Sequence, residues 1–305
     1  KPEKDVALVQ EKLNEYFKPK FNATVALHPI ASSDYKKQTE LMMNTGEKMD
    51  LVFTASWLDL YSNVSKGAFL ELDGLLDKYG QEIKKQIHPL YLEAPRYKGK
   101  LYAIPTEKEI TQGKAFTYRK DIVDKYNIPI ESINKMADFE PYFEMMKQKE
   151  PDMINYYVAG GDGGFVGGFI MYETNSNYRP IGPTPGKHPM FFVDFKSLDL
   201  KVKTLLEPDI VDLNKKEFEL YHRYYEKGYI NADAATTVSN LIDLRKQGKI
   251  WVQPTVWKPG AEIEMKLSDG NDWVSHVVEE PIVTTDLAAG SMFSISRTSK
   301  DPERA

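Results

Sequence analysis

The sequence predicts an α/β protein built as two lobes, on three observations. Its 305 residues exceed the length over which one hydrophobic core keeps growing, so two lobes of roughly 100 to 200 residues are expected. Strand-type and helix-type segments alternate along most of the chain, the pattern of α/β folds. Hydrophobic residues make up 41% and charged residues 28%, a globular balance, and no apolar run approaches the ~20 residues that would span a bilayer.

Pro2 to Lys18 reads as a helix, with Val6, Val9, Leu13 and Tyr16/Phe17 on one face and Pro19 as its end. Ala23 to His28 alternates like a strand, a helix follows from Asp34 to Asn44 with Gly46 as stop, and Met49 to Thr54 is a buried-type strand. That order is βαβ-like and predicts a parallel pairing. Helices are expected at Leu58 to Lys66 and Asp73 to Tyr79, and Lys98-Gly99-Lys100 turns the chain into Leu101 to Pro105. The polar run Thr106 to Gln112 reads as a crossing between lobes.

Alternation restarts with strand Lys114 to Tyr118, then a helix carrying Phe139, Phe143 and Met146, capped by Asp138 and stopped before Pro151. Asn155 to Ala159 is the next strand. Lys215 to Lys227 is read as a helix with Asn214 as N-cap, Glu217 as its capping-box partner and Gly228 as its stop. Helix Leu241 to Lys246 and strands Ile250 to Gln253, Trp273 to Val278 and Gly290 to Ser296 follow, and Asp301-Pro302-Glu303-Arg304 opens a helix. Lobe one is thus expected over residues 1–110 plus 287–305, incomplete because C-terminal helices are missing, and lobe two over 111–286. No signal peptide is present, but Lys1-Pro2 is not a natural start, which leaves open the removal of a leader by processing or by choice of the expressed segment.

A net charge of -5 with no basic stripe argues against a nucleic-acid partner. The absence of Cys excludes disulfides, thiolate metal sites and thiol nucleophiles, and suits an oxidising compartment.

Three segments together resemble a known family: Asp50-Leu51-Val52-Phe53-Thr54-Ala55-Ser56-Trp57 with Tyr61, Lys66-Gly67-Ala68-Phe69 and Leu72; Gly99 to Pro105; and Ser294-Ile295-Ser296-Arg297-Thr298-Ser299 with Pro302 to Ala305. The chain is similar to the extracellular solute-binding proteins, family 1, of ABC sugar importers, specifically the LipO-like lipoproteins of Gram-positive bacteria. The resemblance implies a two-lobed type II periplasmic-binding-protein fold, with crossing strands between lobes and a carbohydrate held between them. It also implies delivery to the permease subunits of an ABC importer and a lipid-anchored monomer on the outer face of the cell membrane. The first strand and lipobox cysteine of the pattern, and its long C-terminal tail, are absent from the sequence, which reads as truncated at both ends.

Trp57 follows a buried strand, where ligands sit in open α/β sheets, and an indole suits the apolar C–H face of a sugar; core packing is the competing reading. Trp257, between a strand and a helix start, is the matching candidate in lobe two, whereas Trp251 and Trp273 are assigned to packing. Tyr61, one turn beyond Trp57, would cover the same helix face or pack in the core. Glu107 and Lys108 lie at the crossing and could bond sugar hydroxyls or be solvated. Ser33 and Asp34 read as a helix cap first and ligand contacts second. Pro105, Thr106, Gly290 and Ser291 are the expected hinge.

Gly160 to Gly168 lacks the spacing of a phosphate-binding loop and reads as a close backbone approach or a flexible turn, with Asp162 as a further contact candidate. Scattered histidines, no nucleophile elbow and no zinc signature point away from catalysis, and Glu107/Glu109 and Glu279/Glu280 read as solvated pairs. No cofactor and no metal are expected. The alternatives to a carbohydrate receptor are a receptor of the same fold for a solute such as a peptide, and a carbohydrate-active enzyme, whose two carboxylates can come from distant positions.

Overall fold

The computed structural model describes residues 4–108, 112–160, 178–181, 191–194, 197, 199–237, 241–282 and 288–305. The chain divides into two compact units, Lys1–Lys108 with Thr284–Ala305, and Glu109–Val283. It therefore crosses from unit 1 to unit 2 after Lys108 and returns after Val283.

Unit 1 opens with α1 (Val6–Phe21). Pro19 lies inside this helix rather than ending it, because Asn22 takes the left-handed conformation and its N–H closes on the Lys18 carbonyl at 3.0 Å. Residues 23–28 alternate in burial as expected but form no ladder. Side chains of α1 occupy their backbone instead. Asn14 Nδ2 donates to Val25 O, Asn14 Oδ1 accepts from Val25 N, and Gln10 Oε1 accepts from Leu27 N. The helix α2 (Ser32–Thr45) has Ala31 as its N-cap, so Ser33 and Asp34 fall inside the first turn and do not cap it; the Asp34 amide donates to the Ala31 carbonyl.

β1 (Leu51–Thr54) leads through a 3₁₀ turn, Ser56–Leu58, into α3 (Leu60–Ser65), α4 (Asp73–Tyr79), α5 (Gln81–Gln86) and α6 (Pro89–Glu93). The short strands β2 (Arg96–Tyr97), β3 (Lys100–Leu101) and β4 (Ile104–Pro105) end this segment.

Unit 2 begins with β5 (Gln112–Arg119), α7 (Lys120–Tyr126) and α8 (Glu140–Lys149). Asp138 belongs to the 3₁₀ turn before α8, where its carboxylate accepts from the amides of Asn134 and Lys135, so the expected cap sits one turn early. The expected strand Asn155 to Ala159 makes only isolated parallel bridges, Ile154 to Ile250 and Tyr156 to Ile230. A small antiparallel sheet joins β6 (Tyr178–Ile181), β7 (Phe191–Asp194) and β8 (Val202–Thr204). The helix α9 (Pro208–Glu226) starts seven residues before Lys215, with Pro208 at its first position and Glu207 as N-cap. Asn214 and Glu217, read as a capping box, are buried inside it, and Asn214 Nδ2 donates to the Ile210 carbonyl.

Next come α10 (Leu241–Lys246), β9 (Val252–Trp257), α11 (Ala261–Asp269) and β10 (Trp273–Ile282). β5 is the centre of an antiparallel sheet in the order β10-β5-β9. One face of it meets an aromatic core of Phe116, Tyr118, Phe139, Phe143, Tyr224, Tyr229 and Trp251. Phe139 and Phe143 stack at 5.1 Å, and Trp251 meets Phe143 edge-on at 6.0 Å.

The returning chain supplies β11 (Met292–Ile295) to unit 1, where the order is β1-β11-β4 and both pairings are antiparallel. This overturns the expected parallel βαβ unit, because the neighbour of β1 comes from more than 200 residues away. Val52, Thr54, Met292 and Ser294 are buried, and Val52 and Met292 pack with Leu60, Val64 and Phe69. Residues 302–304 form a turn rather than opening a helix.

Candidate functional site

In unit 1 the period of two along β1 and β11 places Phe53 opposite Phe293 on the sheet face away from that core. Their rings meet edge-on at 5.8 Å; Tyr35 of α2 meets Phe53 at 6.1 Å, and Trp57 leans on Phe53 at 6.3 Å. The Tyr35 hydroxyl donates to the Phe53 carbonyl at 2.7 Å, and burial pushes its pKa up, so it stays a neutral donor. These four rings form an aromatic shelf. Trp57 is 63% exposed and Phe293 47%.

The turn carrying Trp57 is clamped at both ends. The Ser56 amide donates to the Ala289 carbonyl at 2.8 Å, and the Asp59 carboxylate pairs with Lys36. Trp57 Nε1 donates to the Gly290 carbonyl at 2.8 Å. The one polar atom of the indole is thus satisfied within unit 1, and the ring presents an apolar face to solvent.

In unit 2, Trp257 is the last residue of β9 and lies opposite Gly113 of β5. Four residues later the chain enters α11, whose second residue, Glu262, accepts from Trp257 Nε1 at 3.1 Å. Burial would raise the Glu262 carboxyl, but the Ser275 hydroxyl, its own amide in the first helical turn and the Trp257 N–H together hold it below its ordinary range. Glu262 is therefore an anion at neutral pH. Again the indole's polar atom is consumed inside its own unit.

The other expected residues fare differently. Tyr61 does not share a helix face with Trp57, because Asp59, at φ 57°, breaks the chain between them; its ring packs on the unit 1 core and its hydroxyl donates to Ala94 O at 2.6 Å. Asp34, Glu107 and Lys108 are exposed, and the side chain of Ser33 and the whole of Asp162 lie outside the described residues. Pro105 belongs to β4 and pairs with Met292, while the Thr106 amide donates to Ser291 O at 2.9 Å and their hydroxyls meet at 3.1 Å. The four residues expected to form a hinge are thus stitched together, or hold Trp57, within unit 1. Gly160 approaches backbone: a Cβ there would lie 2.7 Å from Ala234 O, and its amide donates to that same atom. Glu279 is not solvated but nearly buried on β10, 3.1 Å from Lys114 Nζ on β5. Among the described residues no three His, Cys, Asp or Glu side chains converge as metal ligands.

Sequence reasoning missed Tyr35, Phe53, Phe293 and Glu262. Glu262 had a signal, an acid at a helix start five residues after an aromatic strand end. Phe293 had none, since its place beside Phe53 depends on the long-range β1-β11 register.

Each of the two units thus ends a strand, or the turn that follows one, in an indole whose N–H is bonded within that unit. The chain belongs to the bacterial extracellular solute-binding protein family, whose model it matches over residues 12–304. It is 25% identical over 304 residues, 96% of this chain and 56% of the other, to a carbohydrate ABC transporter substrate-binding protein of Streptococcus pneumoniae. Crystal structures of the N-glycan transport solute binding protein of the same organism share its fold. The complex with Man1GlcNAc aligns with a TM-score of 0.76 and 22% identity over 99% of this chain and 62% of that one. The complex with Man5GlcNAc gives 0.75, with the same identity and coverage. The chain thus spans a little over half the length of these relatives.

Proposed function

We propose that this chain is the ligand-capturing part of a carbohydrate receptor for an ABC importer, with an oligosaccharide as its ligand. One observation carries this: Trp57 stands 63% exposed with its only polar atom already bonded to Gly290, so what it offers a ligand is an apolar ring face. A pyranose has the complementary C–H face, whereas a peptide has no such repeated flat surface. Trp257 is the corresponding platform of unit 2. The pneumococcal relatives, named for carbohydrate and N-glycan transport, support the same ligand class. In this proposal the receptor works as a lipid-anchored monomer on the outer face of the membrane, hands its sugar to the permease subunits and does no chemistry on it.

Calorimetric titration with Man5GlcNAc tests the proposal. Wild type should bind, and Trp57→Ala and Trp257→Ala should each weaken binding about tenfold to hundredfold, by analogy with the 1 to 3 kcal/mol of base stacking on aromatics. Unchanged affinity in both variants would sink the site. A melting temperature lowered by many degrees would return the residue to the core, where truncating a Trp costs about 3 to 5 kcal/mol.

A further inference from the structure

Trp257 has no cross-strand side chain to hold its ring, because its partner across β5 is Gly113. The residues after it, Lys258-Pro259-Gly260, form the turn into α11, and Gly260 sits at φ 85°. The indole is tied at its Nε1 by a bond to Glu262 Oε1 at 3.1 Å. Glu262 is the second residue of α11, and its carboxyl is held below its ordinary range despite burial, in part by Ser275 of β10, whose Oγ lies 2.8 Å from Thr117 Oγ1. Thr117 is fully buried, so the Thr117–Ser275 bond is anchored in the sheet beside Glu262.

We infer that Glu262 is a positioning residue: it sets the angle of the Trp257 ring for a sugar and does not touch the sugar itself. This rests on Trp257 being a stacking platform. Glu262 Oε1 accepts from the indole at 3.1 Å, which ties the carboxylate to the ring. Ring orientation matters because stacking is lost when the two faces are not parallel and in contact.

The test compares Glu262→Ala, Glu262→Gln and Trp257→Ala by calorimetric titration with Man5GlcNAc and by tryptophan emission, with Trp257→Phe subtracted to isolate residue 257. Gln keeps an acceptor for the indole but carries no charge. Glu262→Ala should weaken binding about tenfold, red-shift the emission of Trp257 and lower its anisotropy, and Glu262→Gln should restore affinity to within about threefold of wild type. Equal losses in Ala and Gln would overturn positioning in favour of direct charged contact with the sugar. Normal affinity or unaltered emission in Glu262→Ala, with Trp257→Ala impaired, would overturn it while leaving the platform standing. Normal affinity in Trp257→Ala would remove the platform, and the positioning role with it.

Discussion

Tryptophan 57 and tryptophan 251 carry the same side chain to opposite ends, one presenting its face to solvent and the other fully buried with its N–H on Asn155 Oδ1 at 3.0 Å. Arg245 shows the same sensitivity to surroundings. Its side chain is 8% exposed and its Nε lies 2.9 Å from Asp269 Oδ2, which is wholly buried. Burial pulls the guanidinium below its ordinary pKa, and Asp269 opposes that fall. Asp269 also accepts from Trp273 Nε1 at 3.1 Å and from the Asn271 amide at 2.9 Å, so the pair ties α10, the end of α11 and β10 together. Arg245→Ala would leave Asp269 buried without its counter-charge and should cost about 3 to 5 kcal/mol, seen as a shifted midpoint in denaturant unfolding. A loss below about 1 kcal/mol would class the pair with surface bridges.

Asp73 does for an element what Arg245 does for a residue. It opens α4, and its carboxylate accepts from the Leu101 amide of β3 at 2.8 Å and from Arg96 Nη1 of β2 at 2.9 Å. Burial works to raise its pKa, but the Leu101 amide and Arg96 outweigh it and the folded value is depressed. A depressed carboxylate contributes stability that is present above the unfolded value of about 3.9 and lost as pH falls through the folded one. Asp73→Asn should therefore be less stable than wild type at pH 7, with the gap closing below about pH 4. A gap that stays constant in unfolding curves across that range would assign the effect to shape rather than charge. At this scale helices were more legible than strands. The spans of α4 and α10 match their sequence patterns because helical signals are local, whereas α9 starts ahead of its apolar pattern because Pro208 occupies its first position. Residues 23–28 carry the alternation of a strand without being one, since alternation records burial and a ladder needs a partner.

For the molecule as a whole, the proposal that it carries sugar without altering it has a direct consequence. Glu262, the carboxylate bonded to Trp257, is held below its ordinary range, so it has no proton to give a glycosidic oxygen at neutral pH. Man5GlcNAc incubated with the protein should be recovered intact by mass spectrometry. Product exceeding the amount of protein would make the chain an enzyme.

From its own residues the sequence determined the α/β class, most helices and the two tryptophans worth testing, because periodicity and caps are properties of neighbours along the chain, and the resemblance of three short segments pointed to the family. Only the tertiary structure decided that β1 pairs antiparallel with β11, that Phe53, Phe293 and Trp57 share one shelf, that Lys114 and Glu279 bury together, and that Glu262 holds Trp257. Most of these contacts join residues tens to hundreds of positions apart; their register follows from which faces the cores bury, and a local pattern does not record that choice.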